Sequence, residues 1–195
     1  MISSTIILAS ASPRRADLLS WAGLAYEVEP ASIDESRRPG EAPVYYARRL
    51  AEEKALARSR PDYLSLGADT TVFVGNQIFE KPAGPAEAAE HLAFLSGKSH
   101  QVVTAFALAE DGRLVHSQPV ISRVSFRRLS RETIERYVAG GEGLDKAGAY
   151  GLQGCGGFLV ESIEGSFTNV VGLPLTELQM SLARFYPVFF ANPSA

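Results

Sequence analysis

The chain has 195 residues, of which 46% are hydrophobic and 21% are charged. These proportions are typical of a globular protein and exclude a disordered one. Nineteen Lys and Arg against 22 Asp and Glu give a formal net charge of -3, which disfavours a protein that coats nucleic acid, because such proteins are clearly basic. Any phosphate group that the protein handles must therefore meet a local cluster of positive charge.

Cysteine and histidine are too scarce for several kinds of site. The single cysteine, Cys155, excludes an internal disulfide, and a thiolate zinc cluster needs several cysteines. The histidines, His91, His100 and His116, match no zinc-ligand spacing. Counting alone leaves a Cys–His nucleophile pair open, but no activating pattern surrounds Cys155. The apolar amino-terminal run has no basic leader, and no segment approaches the ~20 apolar residues of a membrane span, so we expect a soluble, intracellular protein in a reducing compartment.

Apolar periodicity and turn residues predict strands that alternate with helices. An apolar run at 5–9 predicts the first strand, and the following helix has Ser12 as N-cap, Pro13 as its first residue and Gly23 as its stop. The later segments are, in chain order, a strand at 25–30, a polar loop at 32–43, a helix at about 44–57, a strand, turn and strand within 64–82, a helix at 85–97, a hairpin at 101–126, a helix at 130–139, a glycine-rich stretch at 148–157, a strand at 158–165 and a helix from 173 onward. This order predicts an α/β fold with a mixed, strongly curved sheet.

The junction between the first strand and the first helix carries two arginines. Helix amino termini present free N–H groups and partial positive charge, so they bind anions, and Arg14 and Arg15 add charge to that turn. Arg15 shares a face with apolar residues of the helix, so we expect it to point inward, whereas Arg14 points to the flank. A capped helix with two solvated arginines explains the segment equally well.

Lys54 and Asp69 are charged residues in otherwise apolar surroundings. Lys54 falls inside the apolar arc of its predicted helix, where a lysine either snorkels past the core edge or faces an anion in a cleft. Asp69 lies in the middle of an apolar strand, where a carboxylate is unfavourable unless it is paired, bound to a metal or placed at a cleft. A two-residue turn at 75–76 would place Thr70 opposite Lys81, with Asp69 close by. The simplest interpretation is then a structural Asp69–Lys81 ion pair.

Two loops supply further polar groups. Asp34 and Glu35 are adjacent, and with Asp69 they could hold a hard cation, since Mg²⁺ usually takes a few carboxylates plus phosphate oxygens; solvated loop charge is the alternative. The glycine-rich stretch lets the backbone approach a ligand closely, although it is neither a P-loop nor a dinucleotide fingerprint. Gln153 within it is a candidate for reading a base.

Taken together, these segments resemble the Maf family. The motifs that carry the resemblance are ILASASPRRADLL at 7–19, IDE at 33–35, the A-x-x-K-A pattern at 51–55, GADTTV at 67–72, EKP at 80–82, LSGKSHQVVTA at 95–105, LDKAGAYGLQG at 144–154 and VVGLP at 170–174. They follow one another in the family's order and extend over nearly the whole chain.

The resemblance implies a fold and an activity. Members of the family have an α/β fold with an elongated, mixed, curved sheet and two lobes around a deep cleft, similar to inosine triphosphate pyrophosphatases. They are cytoplasmic, metal-dependent nucleoside triphosphate pyrophosphatases, which release a nucleoside monophosphate and pyrophosphate, and a homodimer is expected. On this basis residues 1–195 form a single domain of this kind, with a divalent cation, Mg²⁺ or Mn²⁺, as cofactor.

The resemblance also implies roles for individual residues. Asp69 matches the family's proton acceptor and, with Glu35, would bind the metal. The residues that match the phosphate- and substrate-binding positions are Ser10, Arg15, Lys54 and Lys81. The positions that differ between branches hold Arg14, Thr70 and Gln153, which match the branch acting on dTTP and UTP, together with modified forms such as 5-methyl-UTP and pseudo-UTP. The branch acting on 7-methyl-GTP has an aromatic residue at the first of these positions and a glutamate at the third.

The residue types agree with this chemistry independently of the resemblance, because hydrolysis of a triphosphate requires positive charge around the phosphates and an oriented water but no covalent nucleophile. The alternatives are a purine-directed pyrophosphatase and a non-enzymatic regulator of cell division, since the family was first linked to septum formation. A carboxylate in mid-strand favours an enzyme, because an adaptor has no need of one. We expect a nucleoside triphosphate as the partner, and neither a nucleic-acid polymer nor a membrane.

Overall fold

The computed structural model describes residues 3–190. The strands are β1 (Ile6–Leu8), β2 (Tyr26–Val28), β3 (Leu64–Val74), β4 (Gln77–Phe79), β5 (Ser99–Glu110), β6 (Arg113–Phe126) and β7 (Val160–Glu164). The helices are α1 (Pro13–Trp21), α2 (Pro43–Ala57), α3 (Pro85–Leu95), α4 (Arg131–Ala139), α5 (Phe167–Val171) and α6 (Leu175–Phe185), with short 3₁₀ turns at Ala147–Ala149, Cys155–Leu159 and Pro187–Phe190.

The central strand, β3, belongs to two halves of one sheet. Its first residues pair in parallel with β1, which pairs in parallel with β2 on its other side. Its last residues pair antiparallel with β4, and most of its length pairs antiparallel with β5. The described residues thus form a seven-stranded sheet of order β2-β1-β3-β5-β6-β7, with β4 beside the far end of β3. This mixed sheet and its flanking helices confirm the predicted α/β class.

Two apolar clusters lie at opposite ends of β3. The first packs Leu64 and Leu66 against α1 and α6, and the second packs Val72 against α3 and α4. The polar residues Asp69 and Thr70 lie on the stretch of β3 between the clusters and line a cleft. The polar side chains of β3 are therefore accessible from the cleft between the two apolar clusters.

The predicted elements differ from the structure mainly at their ends. The second strand is shorter than predicted and covers Tyr26–Val28, and β4 ends before the Glu-Lys-Pro motif. The final helix starts at Leu175, and the short helix α5 before it was not predicted. Five residues are too few to show helical periodicity; α5 instead depends on a cap, in which the Ser166 hydroxyl accepts a hydrogen bond from the Asn169 N–H.

Helix α2 packs unusually close to β3 because Gly67 has no side chain. A Cβ atom at Gly67 would lie 2.1 Å from the carbonyl oxygen of Ala51 and 2.4 Å from the nitrogen of Ala55. Both alanines are fully buried on the face of α2 that contacts the sheet. Small residues on both elements thus bring the two backbones together, one helical turn from Lys54.

We expect Gly67→Ala to destabilise the protein by about 3 kcal/mol, because the added methyl group overlaps the backbone of α2 and forces the helix away from the sheet. Gly84→Ala is the matched control, since a Cβ there meets no atom within 4 Å, and it should change stability by less than about 0.5 kcal/mol. Urea unfolding of both variants measures the difference. Equal stabilities would show that the close packing at Gly67 is not required.

Candidate active site

A cleft of about 730 Å³ opens between the two apolar clusters. That volume lies within the range of small-molecule sites, which is ~300–1,000 Å³. The nine residues to which the resemblance gives a role all line this cleft, although they come from six separate segments of the chain: Ser10, Arg14, Arg15, Glu35, Lys54, Asp69, Thr70, Lys81 and Gln153. Asp34, the other candidate metal ligand, does not line it.

Arg15 is one of two buried cations that residues 3–190 contribute to the cleft, with 8% of its surface exposed, and it points inward as predicted. Its guanidinium donates from Nε to the carbonyl oxygen of Gly172 at 2.9 Å, and from its two terminal nitrogens to the Ser10 hydroxyl at 2.7 Å and the Thr70 hydroxyl at 3.1 Å. All three partners are neutral, and burial lowers the pKa of Arg15. Three of the five N–H groups of an arginine are used in this way among the described residues, which leaves two for an anion.

The amino terminus of α1 lies beside this arginine. Ser12 occupies the predicted N-cap position, but its side chain makes no capping hydrogen bond. Its backbone N–H instead donates to the Ser10 hydroxyl at 3.3 Å. Arg14, the residue before Arg15, is half-buried and lines the cleft as well.

Lys54 lies between two carboxylates. Its ammonium nitrogen is 2.8 Å from Asp69 Oδ1 and 2.8 Å from Glu35 Oε1. The interpretation of Asp69 as the partner of Lys81 is therefore wrong, because a hairpin register describes only the neighbouring strand, and the cation arrives from α2. Of the two interpretations of Lys54, the structure agrees with the one in which the lysine faces the cleft, but its anionic partners are two acids of the protein itself.

The two acids experience opposite net effects on their pKa values. Burial raises the pKa of Asp69, although Lys54 and Arg15 oppose that shift. Burial also acts upward on Glu35, but the hydrogen bond and the charge of Lys54 prevail, so the pKa of Glu35 is lowered. Asp69 is thus the carboxylate whose basicity the site increases. Among the described residues, its second oxygen, Oδ2, has only a long contact of 3.4 Å with the Thr71 hydroxyl.

Lys81 lies at the rim of the cleft and is exposed. It lies two residues after the end of β4, which fixes its position. Among the ion pairs formed within residues 3–190, none includes Lys81. Its charge is therefore free to contact an anion in the cleft.

The acidic residues of the cleft fit a divalent cation that is also held by substrate. Glu35 and Asp69 already converge on one cation, the Lys54 ammonium, and hard oxygen ligands of this type suit Mg²⁺ and Mn²⁺. No group of three or more His, Cys, Asp or Glu able to hold a metal occurs within the described part of the chain. Asp34 does not contribute, because its carboxylate accepts a hydrogen bond from the Ser36 N–H at 2.9 Å in an exposed turn.

Two residues of α2 that the sequence did not reveal hold the loop that carries Glu35. The Tyr46 hydroxyl donates to the carbonyl oxygen of Glu35 at 2.8 Å, and Arg49 donates to that of Ser36 at 3.0 Å. Arg49 also forms a bidentate ion pair with the Glu41 carboxylate, at 2.7 and 2.9 Å. This contact lowers the pKa of Glu41 to about 2. No residue spacing in the sequence signals the contacts of Arg49 with this loop.

Glu142 holds the glycine-rich stretch, and it too was missed. Its carboxylate accepts hydrogen bonds from the backbone N–H groups of Cys155 at 2.7 Å and Gly156 at 3.1 Å, and from the Tyr137 hydroxyl at 3.2 Å. A Cβ at Gly154 would lie 2.6 Å from the same carboxylate. The glycines therefore make room for Glu142, and the exposed side chain of Gln153 is presented to the cleft.

The Cys–His pair that counting left open is not assembled. Cys155 is exposed, and no hydrogen bond joins it to a histidine within the described structure. His100 instead lies behind the cleft, where it contacts the Tyr150 hydroxyl at 2.8 Å and burial lowers its pKa to about 4. His100 is therefore neutral at pH 7.

With this geometry established, comparison with known proteins identifies the family. The family model described as "Maf-like protein" matches residues 5–185, and the chain belongs to this family. Curated relatives share its length. A protein of Pectobacterium atrosepticum named dTTP/UTP pyrophosphatase is 49% identical over 92% of both chains. Proteins of the same name from Alcanivorax borkumensis and Aquifex aeolicus are 50% and 48% identical, over 88% and 89% of this chain and 91% of each relative.

Among solved structures, a nucleoside-triphosphatase described as a dITP/XTP pyrophosphatase from Mycobacterium abscessus matches 97% of this chain and 100% of its own, with a TM-score of 0.46 and 17% identity. That likeness is loose, and the family assignment depends on the sequence matches. No helix between residues 3 and 190 is long and apolar enough to cross a membrane.

The two cleft lysines should differ in their effects on stability. Lys54→Ala leaves the buried Asp69 carboxylate without its cation, and we expect a loss of about 3 kcal/mol. Lys81→Ala removes an exposed charge without an ion-pair partner in the described structure and should change stability by less than about 0.5 kcal/mol. Chemical unfolding at pH 7 measures both. A Lys54→Ala variant as stable as the unaltered chain would contradict the structural importance of the Lys54–Asp69 contact.

Proposed function

We propose that this chain is a nucleoside triphosphate pyrophosphatase that hydrolyses dTTP and UTP, and modified forms such as 5-methyl-UTP and pseudo-UTP, to the nucleoside monophosphate and pyrophosphate. Family membership and the names of the curated relatives support this activity. We also propose that residues 1–195 form a single domain that acts in the cytoplasm as a homodimer, and that it binds neither nucleic-acid polymers nor membranes.

The observation that carries the proposal is the buried charge of Arg15. A buried guanidinium is unfavourable unless an anion compensates it. The hydrogen-bond partners of Arg15 are hydroxyls and a carbonyl, and the charges of Asp69 and Glu35, which act on it without a hydrogen bond, do not offset the lowering of its pKa by burial. Its two remaining N–H groups suit a phosphate, which arginine binds through paired hydrogen bonds. Lys81 and the amino terminus of α1 add positive charge from either side. A triphosphate supplies several anionic groups for such a set of donors.

Asp69 has the properties of the proton acceptor in this reaction. Its Oδ1 is held by Lys54, which leaves Oδ2 to face an attacking water. The burial that raises its pKa makes it a better base than an exposed carboxylate. As the water oxygen adds to the α-phosphorus, a proton of the water passes to Oδ2. The bond between the α-phosphorus and the oxygen that bridges it to the β-phosphorus breaks. Pyrophosphate leaves, and no covalent intermediate with the protein is required.

Glu35 and Asp69 would hold the divalent cation, Mg²⁺ or Mn²⁺, with phosphate oxygens as further ligands. Such a cation, when bound, neutralises phosphate charge and lowers the pKa of a coordinated water. Tyr46 and Arg49 contribute by holding the Glu35 loop against α2. Arg15 and Lys81 bind the phosphates directly, and Ser10 and Lys54 complete the set of substrate-binding residues that the resemblance implies.

Base selection is assigned to Arg14, Thr70 and Gln153. Uracil and thymine present an acceptor, a donor and an acceptor along the pairing edge, and the amide of Gln153 can donate to one of these groups and accept from its neighbour. Arg14 only donates, which suits a carbonyl oxygen or a phosphate. A methylated, cationic purine would instead favour an aromatic surface, and guanine's donors would favour a carboxylate. Neither group stands at position 14 or 153.

Release of pyrophosphate from a panel of nucleoside triphosphates tests the function. The panel contains dTTP, UTP, dCTP, ITP and 7-methyl-GTP, each with Mg²⁺, Mn²⁺ or a chelator. We expect dTTP and UTP to be hydrolysed fastest, and the chelator to abolish activity. Hydrolysis of ITP ahead of the pyrimidines would favour the purine-directed alternative, and no hydrolysis at all would favour the regulator of cell division.

Asp69→Asn should reduce kcat for dTTP by about 10²–10⁴-fold, because an amide cannot accept the proton of the water. The substitution preserves the shape of the side chain and its acceptor for Lys54, so circular dichroism and nucleotide binding should change little. Steady-state kinetics with dTTP measures the effect. An Asp69→Asn enzyme with unaltered kcat would disprove the assignment of the proton acceptor.

The double substitution Arg14→Trp with Gln153→Glu should shift base preference away from pyrimidines. Each lost polar contact is worth ~1–3 kcal/mol when its partner stays buried and unpaired, so kcat/KM for dTTP should fall at least tenfold relative to that for 7-methyl-GTP. Each single substitution is the control for the other. A ratio that stays constant across the three variants would separate these residues from base selection while leaving the pyrophosphatase activity intact.

A further inference from the structure

Behind Arg15, a chain of side chains leads away from the cleft into the sheet. It runs through Thr70 on β3 and Thr104 on β5 to Asn169 on α5. Thr104 and Asn169 are both fully buried, and neither is among the residues that line the cleft. Thr104 belongs to the motif at 95–105, and Asn169 directly precedes the motif at 170–174. The mechanism above assigns neither residue a role.

The contacts fix the direction of each hydrogen bond. The Thr104 hydroxyl is 2.7 Å from the backbone carbonyl oxygen of Asn169. Because a carbonyl oxygen only accepts, Thr104 donates its one hydroxyl proton to it. In its 2.9 Å contact with Thr70 it must then be the acceptor, and Thr70 the donor. Arg15 donates to Thr70 in turn, at 3.1 Å. Hydrogen bonds that point the same way along a chain polarise and strengthen one another.

The far end of the chain is anchored to backbone. The Asn169 amide accepts from the Thr104 N–H at 3.1 Å and donates to the carbonyl oxygen of Val102 at 3.1 Å. It also donates to the Ser122 hydroxyl at 2.9 Å. Because a backbone N–H only donates and a carbonyl only accepts, these partners fix the orientation of the amide. Asn169 therefore ties α5 to β5 and β6 at the point where the relay ends.

We propose that Thr104 and Asn169 are positioning residues, and that the relay Arg15–Thr70–Thr104–Asn169 holds the guanidinium so that its two free N–H groups face the phosphates. The inference rests on the proposed function, which it deepens. The proton of the Thr70 hydroxyl is committed to Thr104 and is not available to a base. Thr70 thus also acts on the substrate through Arg15, by orienting an anion-binding group.

Four variants separate this role from a merely structural one. Thr104→Val keeps the shape of the side chain but removes the hydroxyl, whereas Thr104→Ser keeps the hydroxyl and removes a buried methyl group. Thr70→Val removes the preceding member of the relay. Ser122→Ala removes a different partner of Asn169 and leaves the relay itself complete. Thermal unfolding of each variant records its stability separately from its function.

Binding of inorganic tripolyphosphate by calorimetry, and kcat and KM for dTTP, UTP and dCTP, are the measurements. We expect Thr104→Val to weaken tripolyphosphate binding and to raise KM about tenfold, equally for all three nucleotides and with little change in kcat. Thr70→Val should weaken tripolyphosphate binding by a similar factor. The double variant should be no worse than either single one. Thr104→Ser and Ser122→Ala should remain within twofold of the unaltered chain, whatever their stabilities.

Four results would overturn the proposal. One is binding that follows stability instead of the presence of the Thr104 hydroxyl, and another is additive effects of the two Val variants. A third is a Thr104→Val variant that alters the ratio between nucleotides, since the relay would then act on base selection instead of phosphate binding. The last is an absence of tripolyphosphate binding by the unaltered chain. Failure of the proposed function looks different, because tripolyphosphate would then bind and respond to the variants while no nucleotide is hydrolysed.

Discussion

The close packing of α2 on β3 at Gly67 determines the position of the charged groups in the cleft. Because the backbones of Ala51 and Ala55 lie where a larger residue at 67 would place its side chain, Lys54 extends from the helix directly over β3. Its ammonium meets Asp69 two residues further along that strand, at 2.8 Å. A helix held farther out would leave the carboxylate without its cation. The catalytic acid–base group proposed here thus depends on a residue with no side chain.

The charges at the floor of the cleft follow two different arrangements. Lys54 is shared by two carboxylates, so that group is compensated within the protein. Arg15 has neutral partners and keeps its charge in a buried position, which lowers its pKa. The first arrangement preserves the fold in the absence of ligand, and the second makes the fold more favourable once an anion binds, because a ligand that binds the folded state alone stabilises it.

Much of this site could be predicted from local sequence pattern. Lys54 in an apolar helical arc and Asp69 in an apolar strand are both unfavourable locally, and each turned out to be buried at the cleft. The partner of Asp69 could not be predicted, because the hairpin register relates β3 only to β4, whereas the cation comes from α2. Arg49, Glu142 and Asn169 were missed for a related reason. Their contacts are with backbone groups far away in the chain, and no residue spacing encodes them.

The glycine-rich stretch carries Gln153, the proposed base-selecting residue, on a backbone that other residues hold in place. Its backbone is fixed from beneath by Glu142, and glycines stand where a side chain would collide with that carboxylate. The side chain at position 153 points away from these contacts and is exposed. Selection can therefore exchange that one residue without disturbing the supporting backbone.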